Sequence, residues 1–141
     1  MKTPYDSVRR LRRRELDQDR KEITEIEMNR DAVVREINDL EQRHRQELED
    51  AKSLPLIDST LALARFRQLK AEKHQQVDAL QKQIDERREI LAERFSDLKA
   101  MDIAAENFIQ KAKEKQARAE RDFMDVVAAR TGGSADRRSA D

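Results

Sequence analysis

His44 and His74 are the only imidazoles in a chain of 141 residues that has no cysteine. They are therefore the first place to look for acid–base or metal chemistry. Neither sits near a serine and a carboxylate at a spacing that would build a triad. In an antiparallel hairpin of the two helices set out below, His44 faces about residue 66, one to two turns from His74. Solvated or seam-edge imidazoles are a better reading of that placement than a two-histidine metal site. Carboxylates are plentiful, but thirty Asp and Glu are matched by thirty Lys and Arg. Spacings such as Asp17–Lys21 make them i,i+4 partners on a helix surface rather than general acids. Two glycines in the whole chain leave no glycine-rich phosphate cradle. No catalytic, cofactor-binding or metal-binding residue is expected, and the chain reads as a non-enzyme.

Two other segments carry chemistry of recognition. Arg9, Arg10, Arg12, Arg13 and Arg14 form the one departure from local charge balance. Positive charge at a helix N-terminus opposes the macrodipole, so helix stability does not explain the cluster. It reads either as a contact for an acidic protein surface or phosphates, or as a solvated face answered by Asp97, Asp102 and Glu106. Nucleic acid is not expected, because no aromatic residue is interleaved for stacking and the chain has no net charge. Near the other end, Phe108, Phe123, Met124, Val126 and Val127 make a stripe broader than a two-stranded seam requires. Such a stripe suits insertion among several subunits or against a third helix.

The elements that position these residues follow from composition. Charged residues are 43% of the chain, against roughly 25% in an ordinary domain. Ala, Glu, Lys, Leu and Arg supply just over half of it, the signature of a long helix or coiled coil. Two glycines and two prolines cannot punctuate a sheet, barrel or α/β fold. No run approaches 18 apolar residues, so direct membrane insertion is not expected, and a cytoplasmic location is. Thr3-Pro4 reads as an N-cap with proline at the first helical position. Pro55 sits in the only stretch that joins a breaker to capping side chains, and Gly132-Gly133 reads as a C-terminal stop. The spacing predicts helices over about 4–51 and 59–131, a turn at 52–58, and a flexible polar tail at 132–141.

Both helices carry a period of 3.5. In the first, Ile23, Ile26, Val33, Ile37, Leu40, Leu48 and Ala51 form the seam, with Arg30 and His44 in the same register. In the second, Val77, Ile84, Leu91, Leu98, Ala105, Ala112, Ala119 and Val126 form an unbroken apolar column. A mixed column accompanies it: Leu80, Arg87, Arg94, Met101, Phe108, Lys115 and Asp122. A sustained heptad supercoils helices about a partner, and the short connection makes that partner the other helix. The fold expected is all-α, a single antiparallel coiled-coil hairpin in which residue 51 meets about 59 and residue 5 about 105. Residues from about 106 to 131 then project with their stripe uncovered.

This organisation resembles the FliJ family of flagellar export proteins, relatives of the YscO-type stalk proteins of injectisomes. Length, lack of cysteine, a break near residue 55 and a longer second helix are shared. Phe95-Ser96-Asp97-Leu98-Lys99-Ala100-Met101 is similar to the family's aromatic–x–x–Leu–Lys–x–Leu stretch. Glu120 with Met124, Asp125, Ala128 and Arg130 is similar to its terminal signature, with Val126 standing where family members usually carry Glu. The resemblance implies a stalk in the centre of a hexameric export ATPase, promoting its assembly and activity and engaging a membrane export gate and substrate chaperones. It implies a site at the cytoplasmic face of the inner membrane, at the flagellar basal body. The residues expected to meet the ring are Arg9, Arg10, Arg12, Arg13, Arg14, Phe108, Glu120, Phe123, Met124, Asp125, Val126 and Arg130. Residues from about Leu54 to Phe66 would face the gate. The rival reading is a self-associating scaffold, a parallel dimer or four-helix bundle. Arg87, Arg94, Lys115 and Asp122 in the mixed column argue against a tight homodimer seam, leaving room only for weak self-association.

Overall fold

The computed structural model describes the backbone of residues 2–52 and 59–139 and the side chains of 2–52 and 60–132. Two helices account for it, α1 (Asp6–Lys52) and α2 (Ser59–Ser139). The fold is all-α, and no strand occurs among the described residues. Of the expected turn, Lys52 belongs to α1, and positions 53–58 lie outside the described residues.

The start of α1 follows from three residues. Thr3 is buried at 8% exposure. Its backbone N–H donates to Asp6 Oδ2 at 2.9 Å and its hydroxyl to Asp6 Oδ1 at 2.6 Å. Asp6 N–H donates back to the Thr3 carbonyl at 3.2 Å. These bonds close the turn that precedes α1, with Pro4 inside the turn and two residues before the first helical residue, not at the first helical position that the sequence suggested. The bonds to Thr3, with smaller help from Arg9 and Arg10, hold the Asp6 carboxyl below the usual range. A depressed carboxylate stabilises the fold above its unfolded pKa, and that contribution disappears as pH falls through the lower, folded value. Acid titration followed by circular dichroism is therefore expected to lose the Asp6 contribution below the ordinary Asp range, and Asp6→Asn to remove that part of the pH dependence. An identical acid profile for the variant would mean that these bonds contribute nothing to acid stability.

At the other end, α2 runs through Gly132 and Gly133 to Ser139, which corrects the expected stop at 131 and places 132–139 in a helix. A stop of that kind needs a glycine at positive φ, and none is present among the described residues. Glycine in a helix interior costs about 1 kcal/mol relative to alanine but does not forbid the helix.

Tertiary contacts divide the chain into two units, Arg13–Ser96 and Met1–Arg12 with Asp97–Asp141. In an antiparallel pair each residue touches only its own height on the other helix. Each unit holds parts of both helices.

In the unit Arg13–Ser96, Leu16, Ile23, Ile37 and Ile84 are buried, Ile84 completely. Ile26, Val33, Leu40, Val77, Leu80 and Leu91 are half-buried beside them. Leu48 is 43% exposed, a correction to its expected place in the seam. Counted from His44 opposite Phe66, its counterpart is Ala62, which is too short to cover it and is itself exposed. Leu16 is the core residue that the heptad reading missed, because its helical neighbours at Arg9, Arg12 and Asp19 hide the apolar spacing. In the other unit, Leu98 and Ala105 are buried at 7% and 1% exposure, with Met101 half-buried.

Candidate functional site

The antiparallel register is read from polar pairs. In the unit Arg13–Ser96, Arg94 Nη1 donates to both Asp19 oxygens at 2.7 and 2.6 Å. Asp19 in turn holds the Arg94 guanidinium further into its charged form. Arg87 pairs with Glu22, and Arg88 with Glu27 at 2.7 Å. Arg30 donates to Gln81 Oε1 at 2.8 Å, Lys73 pairs with Glu36, and Lys70 with Glu41 at 3.0 Å. The Lys70 hydrogen bond lowers the Glu41 pKa. Within this unit the mixed column of α2 is thereby answered by acids of α1: Arg87 and Arg94, which looked hostile to a seam, have partners within the chain.

His44 lies where the register puts it, stacked on Phe66 with centroids 3.9 Å apart and planes 6° from parallel. Lys70 Nζ stands 5.8 Å from the same ring, within cation–π range. His74 is exposed. Among the described residues, no group of three His, Asp or Glu side chains could hold a metal ion, and no helix is long and apolar enough to cross a membrane.

The arginine cluster divides by helical face. Arg9 and Arg12 are half-buried. Arg9 Nε donates to Asp102 at 2.6 Å, and its Nη1 lies 3.5 Å from Asp6. One arm of the cluster is therefore answered by α2 as the solvated-face reading expected, through Asp102. Arg10, Arg13 and Arg14 are exposed. In the unit that holds residues 1–12, Arg9 and Arg12 are thus less exposed than Arg10, while Arg13 and Arg14 belong to the other unit.

In the unit that holds residues 97–141, the apolar column of α2 loses its cover after Ala105. Ala112 is half-buried and Ala119 exposed; Val126 is 52% exposed. Phe108, Phe123, Met124 and Val127 are exposed too, and Glu120, Asp125 and Arg130 lie among them on open helix. Several large apolar side chains thus share one helical stretch and face solvent. No family model, curated protein or solved structure matches the chain.

Proposed function

We propose that the chain is a non-enzymatic stalk of the flagellar type III protein export apparatus. It engages the hexameric export ATPase, promotes its assembly and activity, and links it to the export gate and substrate chaperones at the cytoplasmic face of the inner membrane. One observation carries this reading: burial along the apolar column of α2 ends at Ala105, while the apolar pattern continues to Val127. An apolar face without cover marks a protein contact. Its position past the last buried residue of the column suits a helix entering the middle of a ring.

The resemblance in the Phe95–Met101 and Glu120–Arg130 stretches supports the same reading. In this role Phe108, Phe123, Met124 and Val126 seat against the ring by burial. Glu120, Asp125 and Arg130 flank them, and Arg10, Arg13 and Arg14 steer toward acidic subunit surfaces.

The test is stimulation of a purified export ATPase. The unaltered chain is expected to raise turnover. Arg10→Glu with Arg14→Glu is expected to slow association severalfold and to make it less salt-sensitive, with helicity unchanged. No stimulation by the unaltered chain would refute the stalk role. A helicity loss in the variant equal to its activity loss would make the arginines structural.

A further inference from the structure

The stretch of α2 from Glu106 to Arg130 begins just after Ala105, the last buried residue of the column. Among the described residues, none of its charged side chains forms an ion pair. Those charges have an internal symmetry. Reflected about the midpoint between Ala117 and Arg118, Lys115 falls on Glu120, Glu114 on Arg121 and Lys113 on Asp122. Lys111 and Asp125 correspond with an offset of one residue, as do Glu106 and Arg130. Each correspondence joins opposite signs, and one residue of offset is about 1.5 Å along a helix. At the same one-residue offset some like charges also approach: Arg118 its own copy, Lys113 and Lys115 Arg121, and Glu114 both Glu120 and Asp122. The three exact correspondences therefore carry the pattern.

The apolar positions obey the same reflection. Phe108 falls on Val127, Ile109 on Val126, and the small Ala112 on the large Phe123. The centre of the charge pattern also coincides with the middle of the uncovered stretch. A second copy laid antiparallel along these residues would therefore set opposite charges face to face at the three exact correspondences and the small Ala112 against the large Phe123. A copy laid parallel would set every charge beside itself. That is the repulsion which the mixed column threatens in a parallel dimer.

We propose that two copies of this chain pair antiparallel through residues 106–130 of α2, centred between Ala117 and Arg118. The pair covers the face that the stalk reading assigns to a ring, so the dimer is the form in which that face is withheld. Pairing of this kind needs no ATPase, and its test uses the protein alone.

Sedimentation of the pure protein is expected to show a monomer–dimer equilibrium that shifts to monomer as salt rises. Lys111→Glu with Lys115→Glu should raise the dimer Kd by about tenfold or more, since each dimer then holds four like-charge encounters. Glu120→Lys with Asp125→Lys should do the same, and mixing the two variants should restore pairing. Orientation is read from cysteine substitutions in the cysteine-free chain. Ala112→Cys alone should give no disulfide dimer, whereas Ala112→Cys mixed with Phe123→Cys should give the mixed disulfide. A monomer at all concentrations, a disulfide dimer from Ala112→Cys alone, or a Kd indifferent to both reversals would each overturn the proposal. None of these results touches ATPase stimulation, so the two readings fail separately.

Discussion

Ile84→Ala is expected to lower the stability of the helix pair by about 2–4 kcal/mol, the range for removing a fully buried branched side chain. Ile84 is 0% exposed, and no other large side chain among the described residues is so fully enclosed. Truncating a side chain enclosed this completely leaves a cavity in the packed seam. The core is also thin: Leu16, Ile23 and Ile37 are the other buried apolar residues of the same unit. A loss of that size is a large share of the stability usual for a small domain. Thermal unfolding followed by circular dichroism is expected to shift downward by many degrees. Met28→Ala, at a residue 64% exposed, should leave it nearly unchanged. Equal shifts for the two variants would show that Ile84 carries no special weight in the seam.

Phe123→Ser with Val126→Ser is expected to have the opposite profile, with folding retained and docking abolished. The two residues are 67% and 52% exposed, so neither substitution opens a cavity or uncovers a buried group. Both remove apolar anchors from a face that the stalk reading buries against the ATPase ring, where each anchor of a central cluster is worth about 2 kcal/mol. The double variant should therefore bind the ring more than about a hundredfold more weakly and fail to stimulate at ordinary concentrations. Helical content should match that of the unaltered chain. Undiminished stimulation by the variant would exclude the C-terminal stretch from the ring interface, whatever the arginines do.

The helices, their antiparallel register and the end of burial at Ala105 could all be read from the sequence. A heptad column states which residues face a partner, and the short connection fixes which partner. His44 opposite Phe66 follows from that arithmetic alone. Three features resisted. Leu16 stood among charged residues whose pairing partners lie on the other helix, so its burial is a property of the pair. Leu48 had the right spacing but an alanine across from it. Gly132-Gly133 matched the composition of a helix stop, yet composition does not decide whether a glycine adopts positive φ. The candidate docking surface was legible only as exposed apolar spacing. A helix surface without cavity or cleft carries no geometry that names its partner. The division of the arginines into Arg9 and Arg12 against Arg10, Arg13 and Arg14 emerges only once α2 is in place.

The polar pairs along the unit Arg13–Ser96 have a mechanical consequence. Apolar seams alone tolerate sliding by a heptad, since leucines and isoleucines accept one another. Here a slide of seven residues one way would carry Arg94 from Asp19 to Ile26 and Lys73 from Glu36 to Arg43. The other way, it would carry Arg88 from Glu27 to Arg20 and Lys70 from Glu41 to Val34. Both alternatives set cations against other cations or against hydrocarbon. The observed alignment avoids those conflicts, so the two helices behave as a keyed joint. Within that unit, a push along one helix meets this preference for a single alignment before it can turn into slip.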